Sequence, residues 1–217
     1  VEKKLIEIKN HLSGKLNVKF YDGYINYPKP KIIQNAKYFS ASFDNLPGYV
    51  VDEDDIPSYS MILPRIYSSF GGDIAEIKRI YKDKYFKEEY SDEIKDYSSK
   101  YAGLGANEIE TLDKIYDRIN RNIELARVPF DQARYAPLDD KILVNSSYLN
   151  VLDKSYFFTR LANSLGIKVD MIFYKNFRDS GVISECPSLK QYDSVICKYY
   201  AGNKNIYFSF ENQDYSS

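Results

Sequence analysis

The spacing of apolar residues predicts a long central helix that leads directly into a strand. Between residues 150 and 167, apolar side chains recur at the spacing of one helix face, at Phe158, Leu161, Ala162 and Leu165. Asn150 is a favourable N-cap, and Asp153 stands where the second member of a capping box would stand. Gly166 can end the helix in a left-handed conformation. From Ile167 to Phe173 every second residue is apolar, which predicts a strand.

The rest of the chain divides into helical and extended patterns. Helical spacing of apolar residues predicts further helices over residues 1–13, from Asp73 to Tyr81, from Tyr90 to Tyr101 and from Asn107 to Ile123. Short β-rich pieces between Gly and Pro breakers predict strands over residues 18–21, 24–27, 38–43, 59–68, 192–200 and 206–210. Residues 127–149 have no clear period and are predicted to be a loop, as are residues 176–189. The mixture, with an antiparallel hairpin at its end, predicts an α+β fold with helices packed on an antiparallel sheet.

Composition excludes several classes of protein. Of the 217 residues, 44% are hydrophobic and 28% charged, which is typical of a folded globular chain. The 30 basic residues nearly balance the 31 acidic ones, so the net charge of -1 gives no field that would attract nucleic acid. We therefore expect no nucleic-acid partner. No apolar run reaches the roughly 20 residues of a membrane span, so we expect no transmembrane segment in the chain.

The residue types that usually carry chemistry are scarce. Cys186 and Cys197 could form at most one disulfide, and we interpret them as two ordinary thiols. His11 is the only histidine and has no second metal-ligating residue type beside it, so neither a metal nor a cofactor is expected. The chain has 22 tyrosines. The helical spacing of Tyr90, Tyr97 and Tyr101 is explained most simply by core packing, and recognition of sugars by exposed tyrosines remains an alternative.

Four segments carry the motifs that bear on a family resemblance: Arg121–Glu124, Asp153–Ser155, Leu165–Ile167 and Pro187–Ile196. They are similar to motifs of the transglutaminase-like superfamily, whose members share a papain-like Cys-His-Asp site. The resemblance covers about residues 107 to 210 and implies a transglutaminase-like core. Asn45–Pro47 and Tyr59–Ser68 resemble the end of an uncharacterised β domain that often precedes such cores in exported bacterial proteins. The resemblance therefore implies three regions: the end of a β domain (1–70), a helical linker (71–106) and a transglutaminase-like domain (107–217).

The same resemblance shows which catalytic positions have changed. The position of the catalytic cysteine is taken by Val151, that of the histidine by Ser194, and that of the aspartate, within a residue or two, by Ser209. Valine offers no nucleophile, and serine cannot replace imidazole as a base near neutral pH. Asn150 and Asp153 are retained beside these vestigial positions, where they would cap the helix, and Lys154 would pair with nearby carboxylates. We therefore expect a scaffold without its Cys-His-Asp triad.

These observations predict a non-catalytic transglutaminase-like domain, a pseudoenzyme. It would act as a binding or structural module for an unknown peptide, protein or glycan within a larger protein flanked by further domains. One alternative is a hydrolase or acyltransferase that uses other residues, for example Ser155 or Ser194 as nucleophile with a lysine or carboxylate base. A second alternative is a carbohydrate-binding module. The resemblance also implies an exported bacterial protein, periplasmic or at the cell surface.

Overall fold

Five strands come first along the chain, and helices and strands, most of them paired antiparallel, follow, which confirms the predicted α+β class. The computed structural model describes residues 3–11, 15–22, 28–45, 64–86, 89–130, 132, 135–175 and 182–211. The chain folds into two units. The first contains residues 1–80 and 175–191, and the second contains residues 81–174 and 192–217.

Ten strands and five α-helices lie in the described ranges. The strands are β1 (Lys3–Lys9), β2 (Leu16–Tyr21), β3 (Lys31–Gln34), β4 (Tyr38–Asp44), β5 (Arg65–Phe70), β6 (Glu124–Leu125), β7 (Tyr148–Leu149), β8 (Val169–Tyr174), β9 (Ser194–Ala201) and β10 (Lys204–Phe208). The helices are α1 (Ile74–Tyr85), α2 (Asp92–Ser99), α3 (Glu108–Asn122), α4 (Asp140–Asn145) and α5 (Val151–Ser164). A 3-10 turn covers Leu189–Gln191.

The first unit is built mainly from β-strands. One antiparallel sheet has the strand order β1-β4-β3, and β2 pairs with β5 in a second ladder. Their shared core consists of Leu16, Phe39, Ala41 and Phe43. In the same unit, the amide of Gln191 accepts from the backbone N–H of Ile183 and donates to the carbonyls of Ile183 and Cys186. One buried side chain therefore forms hydrogen bonds with three backbone groups of the loop that precedes β9.

The second unit is organised around α5. The helix packs on β8 and β9 of the antiparallel sheet β10-β9-β8 and is also contacted by α2 and α3. Most of its residues are buried, because other elements surround it on several sides. Gly166 has φ +81°, the left-handed conformation predicted for the end of this helix. The predicted strand after this helix is confirmed, since β8 begins at Val169.

A buried ion pair holds α4 against α5. Arg160 donates to the Asp140 carboxylate at 2.9 Å and to the Glu89 carbonyl at 2.9 Å. Its guanidinium lies 4.4 Å from the centre of the Tyr90 ring. Both charged side chains are largely buried, so removing either one would leave the other charge buried without its partner and weaken the packing of α4 on α5.

Two of the predicted elements are wrong. Residues 3–9 form β1 rather than part of a helix, because Ile6 and Ile8 face the core at the two-residue period of a strand. Leu5, which suggested a helical stripe, is 61% exposed. Residues 127–149 are not a continuous loop, since they contain α4 and β7. The predicted strand 24–27, residues 59–63 of another, and residues 46 and 47 of the Asn45–Pro47 motif lie outside the described residues.

The boundaries of the two units differ from those of the predicted regions 1–70, 71–106 and 107–217. Helix α2 belongs to the predicted linker, but it packs against α4 and α5 in the second unit. Residues 175–191 belong to the predicted transglutaminase-like region, but they are part of the first unit. The assignment of the three ranges to an upstream β domain, a linker and a transglutaminase-like domain stays a prediction.

Candidate binding cleft

The start of α5 is fixed by two polar side chains. Asn150 caps the helix, because its side-chain oxygen accepts a hydrogen bond from the Asp153 backbone N–H at 2.8 Å. Asp153 is buried, and its carboxylate accepts a hydrogen bond from the backbone N–H of Leu138 at 2.8 Å. Asp153 therefore anchors the segment before α4 to the first turn of α5, in addition to its favourable position at the positive helix end.

A cleft of about 520 Å³ opens beside this helix start. One wall is the chain from Leu125 to Phe130, and a second is the first turn of α5, Asn150–Leu152. Asp193, Ser194 and Glu211 complete the lining. We call this space the α5 cleft. Two of the three predicted vestigial positions, Val151 and Ser194, thus line one cavity.

The third predicted position, Ser209, lies just outside the lining of the α5 cleft. Its carbonyl accepts a hydrogen bond from the Tyr116 hydroxyl, and its own hydroxyl accepts one from the Glu211 N–H. Glu211, two residues further on, lines the cleft instead. Because the chain leaves β10 at Phe208, the side chains after that strand no longer follow strand alternation. An acidic side chain therefore lies within two residues of the predicted position.

Two polar residues, Ser194 in the lining of the α5 cleft and Tyr174 on β8, lie next to each other. They are direct partners across the β8–β9 ladder, and the Tyr174 hydroxyl donates to the Glu211 carboxylate. Burial, followed by the hydrogen bond to Glu211, raises the pKa of Tyr174 to about 12. The Ser194 hydroxyl is buried and makes no hydrogen bond of normal geometry with the described residues. Its proximity to Tyr174 acts to lower the pKa of that tyrosine, against the larger effects that raise it. Tyr174 is thus a proton donor at neutral pH and cannot serve as a base there.

Lys154 does not form the predicted pair with a carboxylate. Its side chain is 0% exposed, and its ammonium has no hydrogen-bond partner within the described part of the chain. The ammonium lies 5.9 Å from the centre of the Phe210 ring. Desolvation lowers the pKa of Lys154 to about 8. The neighbouring Ser155 hydroxyl is likewise buried without a partner among the described residues.

The other candidate residues lie away from the α5 cleft. Cys197 is buried beneath α5, where its thiol contacts the Ser155 carbonyl at 3.4 Å, and burial raises its pKa to about 12. Cys186 lies in the first unit, where its thiol contacts the Tyr67 carbonyl. Both are free thiols. Across the described residues, no cluster of three or more His, Cys, Asp or Glu side chains could hold a metal ion.

The chemistry of the α5 cleft is therefore that of hydrogen bonding and charge. Within the described ranges, its lining contains no cysteine, histidine or lysine; its polar side chains are Arg127, Asn150, Asp193, Ser194 and Glu211. Sequence reasoning missed Arg127, Asp193 and Glu211. The position of Asp193 directly before Ser194 was a usable signal, and so was the acidic residue two positions after Ser209. Nothing in the spacing of residues 125–130 indicated that this segment would form a wall.

The helices of the described ranges include none with the length and apolar character needed to cross a bilayer.

Two of the three predicted aromatic core residues, Tyr97 and Tyr101, pack on each other with ring centres 5.9 Å apart, and Tyr101 is buried. Tyr90 packs against the same core. These three tyrosines are structural, so sugar recognition would have to use other rings.

No protein-family model matches the sequence, and no curated protein matches it. Among solved structures, the chain is similar to a crystal structure of a putative protease from Parabacteroides distasonis ATCC 8503, with a TM-score of 0.73 and 18% sequence identity. The match covers 96% of this chain but only 40% of the Parabacteroides chain. At this identity the comparison shows the fold alone. The chain therefore shares its mixed α+β fold with part of the longer Parabacteroides chain.

Proposed function

We propose that the second unit is a transglutaminase-like domain without a catalytic triad, and that it binds a partner at the α5 cleft instead of reacting with it. The observation that carries this proposal is the pairing of Val151, at the first turn of α5, with Ser194, at the start of β9, in one open cleft. A helix N-terminus facing a strand is suited to a thiolate and its base, because the helix dipole stabilises the anion. Here Val151 offers no nucleophile, and Ser194 offers no imidazole base.

Loss of the reacting groups leaves a site equipped for binding. The α5 cleft is large enough for a side chain or a short chain segment and offers both apolar walls and a few fixed polar groups. The cap by Asn150 and the anchor by Asp153 keep the helix start rigid. In this proposal, the module acts within a larger, exported bacterial protein, and its ligand is a peptide, protein or glycan.

A hydrolase of protease type is the alternative, because the structural neighbour is a putative protease. Ser194 would be its nucleophile, since it is the serine that lines the α5 cleft. The difficulty for this alternative is that the Ser194 hydroxyl would need a base to activate it. Two nearby acid–base groups, Tyr174 and Glu211, already share a hydrogen bond, and the raised pKa of Tyr174 keeps it protonated at neutral pH. Ser155 is less suited, since it does not line the α5 cleft.

The proposal is tested by restoring the two missing groups. In the double variant Val151→Cys/Ser194→His, the helix N-terminus and the imidazole should lower the pKa of the new thiol, so alkylation by iodoacetamide should remain fast below pH 7. The single variant Val151→Cys should react with a higher apparent pKa, and Ser147→Cys, at an exposed position before β7, should behave like an ordinary thiol. Mass spectrometry separates these sites from Cys186 and Cys197.

The wild-type chain is tested in parallel with a fluorophosphonate probe and with amidase, protease and acyl-transfer assays. We expect no stoichiometric adduct and no turnover. Labelling of Ser194 or Ser155, or any thiol-dependent turnover, would favour the hydrolase alternative. The thiol at position 151 could also have the same pKa whether residue 194 is serine or histidine. That result would show that the two positions do not lie where a catalytic cysteine and histidine would interact, and it would contradict the proposal.

A further inference from the structure

Helix α5 packs on one face of the sheet β10-β9-β8, and the opposite, outer face carries exposed side chains on β9 and β10. On the inner face, Val195, Cys197 and Tyr199 are buried in the core beneath α5. Because side chains alternate along a strand, Lys198 and Tyr200 point to the opposite face. The pairing register places Tyr207 opposite Lys198 and Asn205 opposite Tyr200 on that same face.

Two tyrosine rings project from this outer face. Tyr200 is 45% exposed and Tyr207 is 52% exposed. They occupy diagonal positions on neighbouring strands, which are typically about 7–8 Å apart. Neither ring stacks on another aromatic ring in the described part of the chain. The Lys198 ammonium lies 4.3 Å from the centre of the Tyr200 ring, and the ring of Tyr207 has no such partner there.

Polar groups surround the two rings. Lys198 and Asp170 are direct partners across the β8–β9 ladder, so a positive and a negative side chain stand side by side. Asn205 lies beside Tyr200 and offers both a donor and an acceptor. The nearest aliphatic side chains on this face, Ile196 and its cross-strand partner Ile172, are only partly exposed. The surface therefore combines exposed aromatic rings with hydrogen-bonding groups that carry no net charge.

We propose that this outer face, defined by Tyr200, Tyr207, Lys198, Asn205 and Asp170, binds a neutral oligosaccharide. The apolar faces of sugar rings stack on exposed aromatic rings, and their hydroxyls bond to amides, carboxylates and ammonium groups. A strip of two offset tyrosines suits a chain of sugars better than a single one. A polyanion such as nucleic acid would need an excess of positive charge, which this face lacks. A stable protein interface would need a larger apolar centre with fewer charges.

This site is independent of the α5 cleft, because none of its five residues lines that cleft. If the experiments contradicted the function proposed for the α5 cleft, the proposal for the outer face would therefore still stand. The test uses the full chain with cellohexaose, xylohexaose and chitohexaose as neutral probes, followed by isothermal titration calorimetry and saturation-transfer NMR. We expect saturable binding of at least one probe, weakened roughly tenfold by Tyr200→Ala or by Tyr207→Ala, as expected for the loss of one aromatic stacking contact.

Matched controls separate stacking from general loss of structure. Tyr148→Ala removes a ring that is 63% exposed on β7, in the same unit, and should leave binding unchanged. Tyr200→Phe keeps the ring and should retain most of the affinity. Absence of saturable binding to all three probes at millimolar concentration would overturn the proposal, as would equal binding by the Tyr200→Ala/Tyr207→Ala double variant. Loss of self-association in that double variant, measured by sedimentation, would instead assign the face to contacts between copies and would also overturn it.

Discussion

Replacing Lys154 with methionine should stabilise the protein at neutral pH. Lys154 is fully buried in the first turn of α5, and its ammonium has no hydrogen-bond partner within the described residues. Removing an uncompensated buried charge relieves its desolvation, whereas methionine fills a similar volume with an unbranched apolar chain. The variant also keeps the contact with Phe210, which lines the same part of the core.

The magnitude follows from the pKa of Lys154. Burial lowers it from 10.5 to about 8, and each unit of pKa corresponds to about 1.4 kcal/mol. Folding a protonated Lys154 therefore carries a penalty on the order of 3 kcal/mol. Between pH 8 and 10.5 the unfolded state binds more protons than the folded state, so this penalty falls as pH rises through that window. Below pH 8 the penalty is present in full.

The assay is urea unfolding followed by circular dichroism from pH 6 to 11. The free energy of unfolding of Lys154→Met should exceed that of the wild type by roughly 3 kcal/mol below pH 8, and the gap should close by about pH 10.5. Tyr101, Tyr156 and Tyr174 have pKa values raised to about 12, so both proteins lose stability above about pH 10. That loss cancels in the difference between them.

Lys141→Met is the matched control, because Lys141 is an exposed lysine on α4. It should change the free energy of unfolding by no more than about 0.5 kcal/mol at any pH. Two results would refute the reasoning. One is a stability difference between Lys154→Met and the wild type that is independent of pH. The other is a net destabilisation below pH 8, which would mean that the ammonium has a stabilising partner.

Three further predictions concern α5 and are measured by urea midpoints. Arg160→Met should destabilise the fold by about 3 kcal/mol, because it leaves Asp140 buried without its partner; adding Asp140→Asn should recover part of the loss, and full additivity would argue against coupling. Gly166→Ala should lose about 1 kcal/mol because of the left-handed φ, whereas Gly166→Asn should lose less. Asn150→Ala should lose about 1 kcal/mol and Asn150→Asp almost nothing; equal losses would show that the cap is unimportant.

Elements with strong local signals could be predicted from the sequence. The start of α3 is one example, since Asn107 accepts from the Glu110 N–H and the Glu110 carboxylate accepts from the Ala106 N–H. The ends of α5 are another. In these cases the contacts that fix the helix end join residues only a few positions apart, so they can be recognised in the sequence.

Elements set by distant contacts could not be predicted. Strand β1 depends on its pairing with β4, whose residues lie far along the chain, and its exposed Leu5 imitates a helical stripe. Helix α4 has only six residues and is held by the Arg160–Asp140 pair rather than by its own periodicity. In the candidate site, the meeting of Val151 with Ser194 followed from the resemblance to a known fold. The turn of the chain after Phe208, which brings Glu211 into the α5 cleft, depends on tertiary packing.

The two cysteines also make the opening of each unit measurable without any added label site. Cys186 is buried in the first unit and Cys197 in the second, and both thiols are free. A buried thiol reacts with a soluble reagent such as DTNB only when the structure around it opens. The labelling rate of each cysteine in native buffer therefore reports how often its own unit opens. Two rates that differ would show that the units open separately, whereas a single shared rate would indicate that they unfold together.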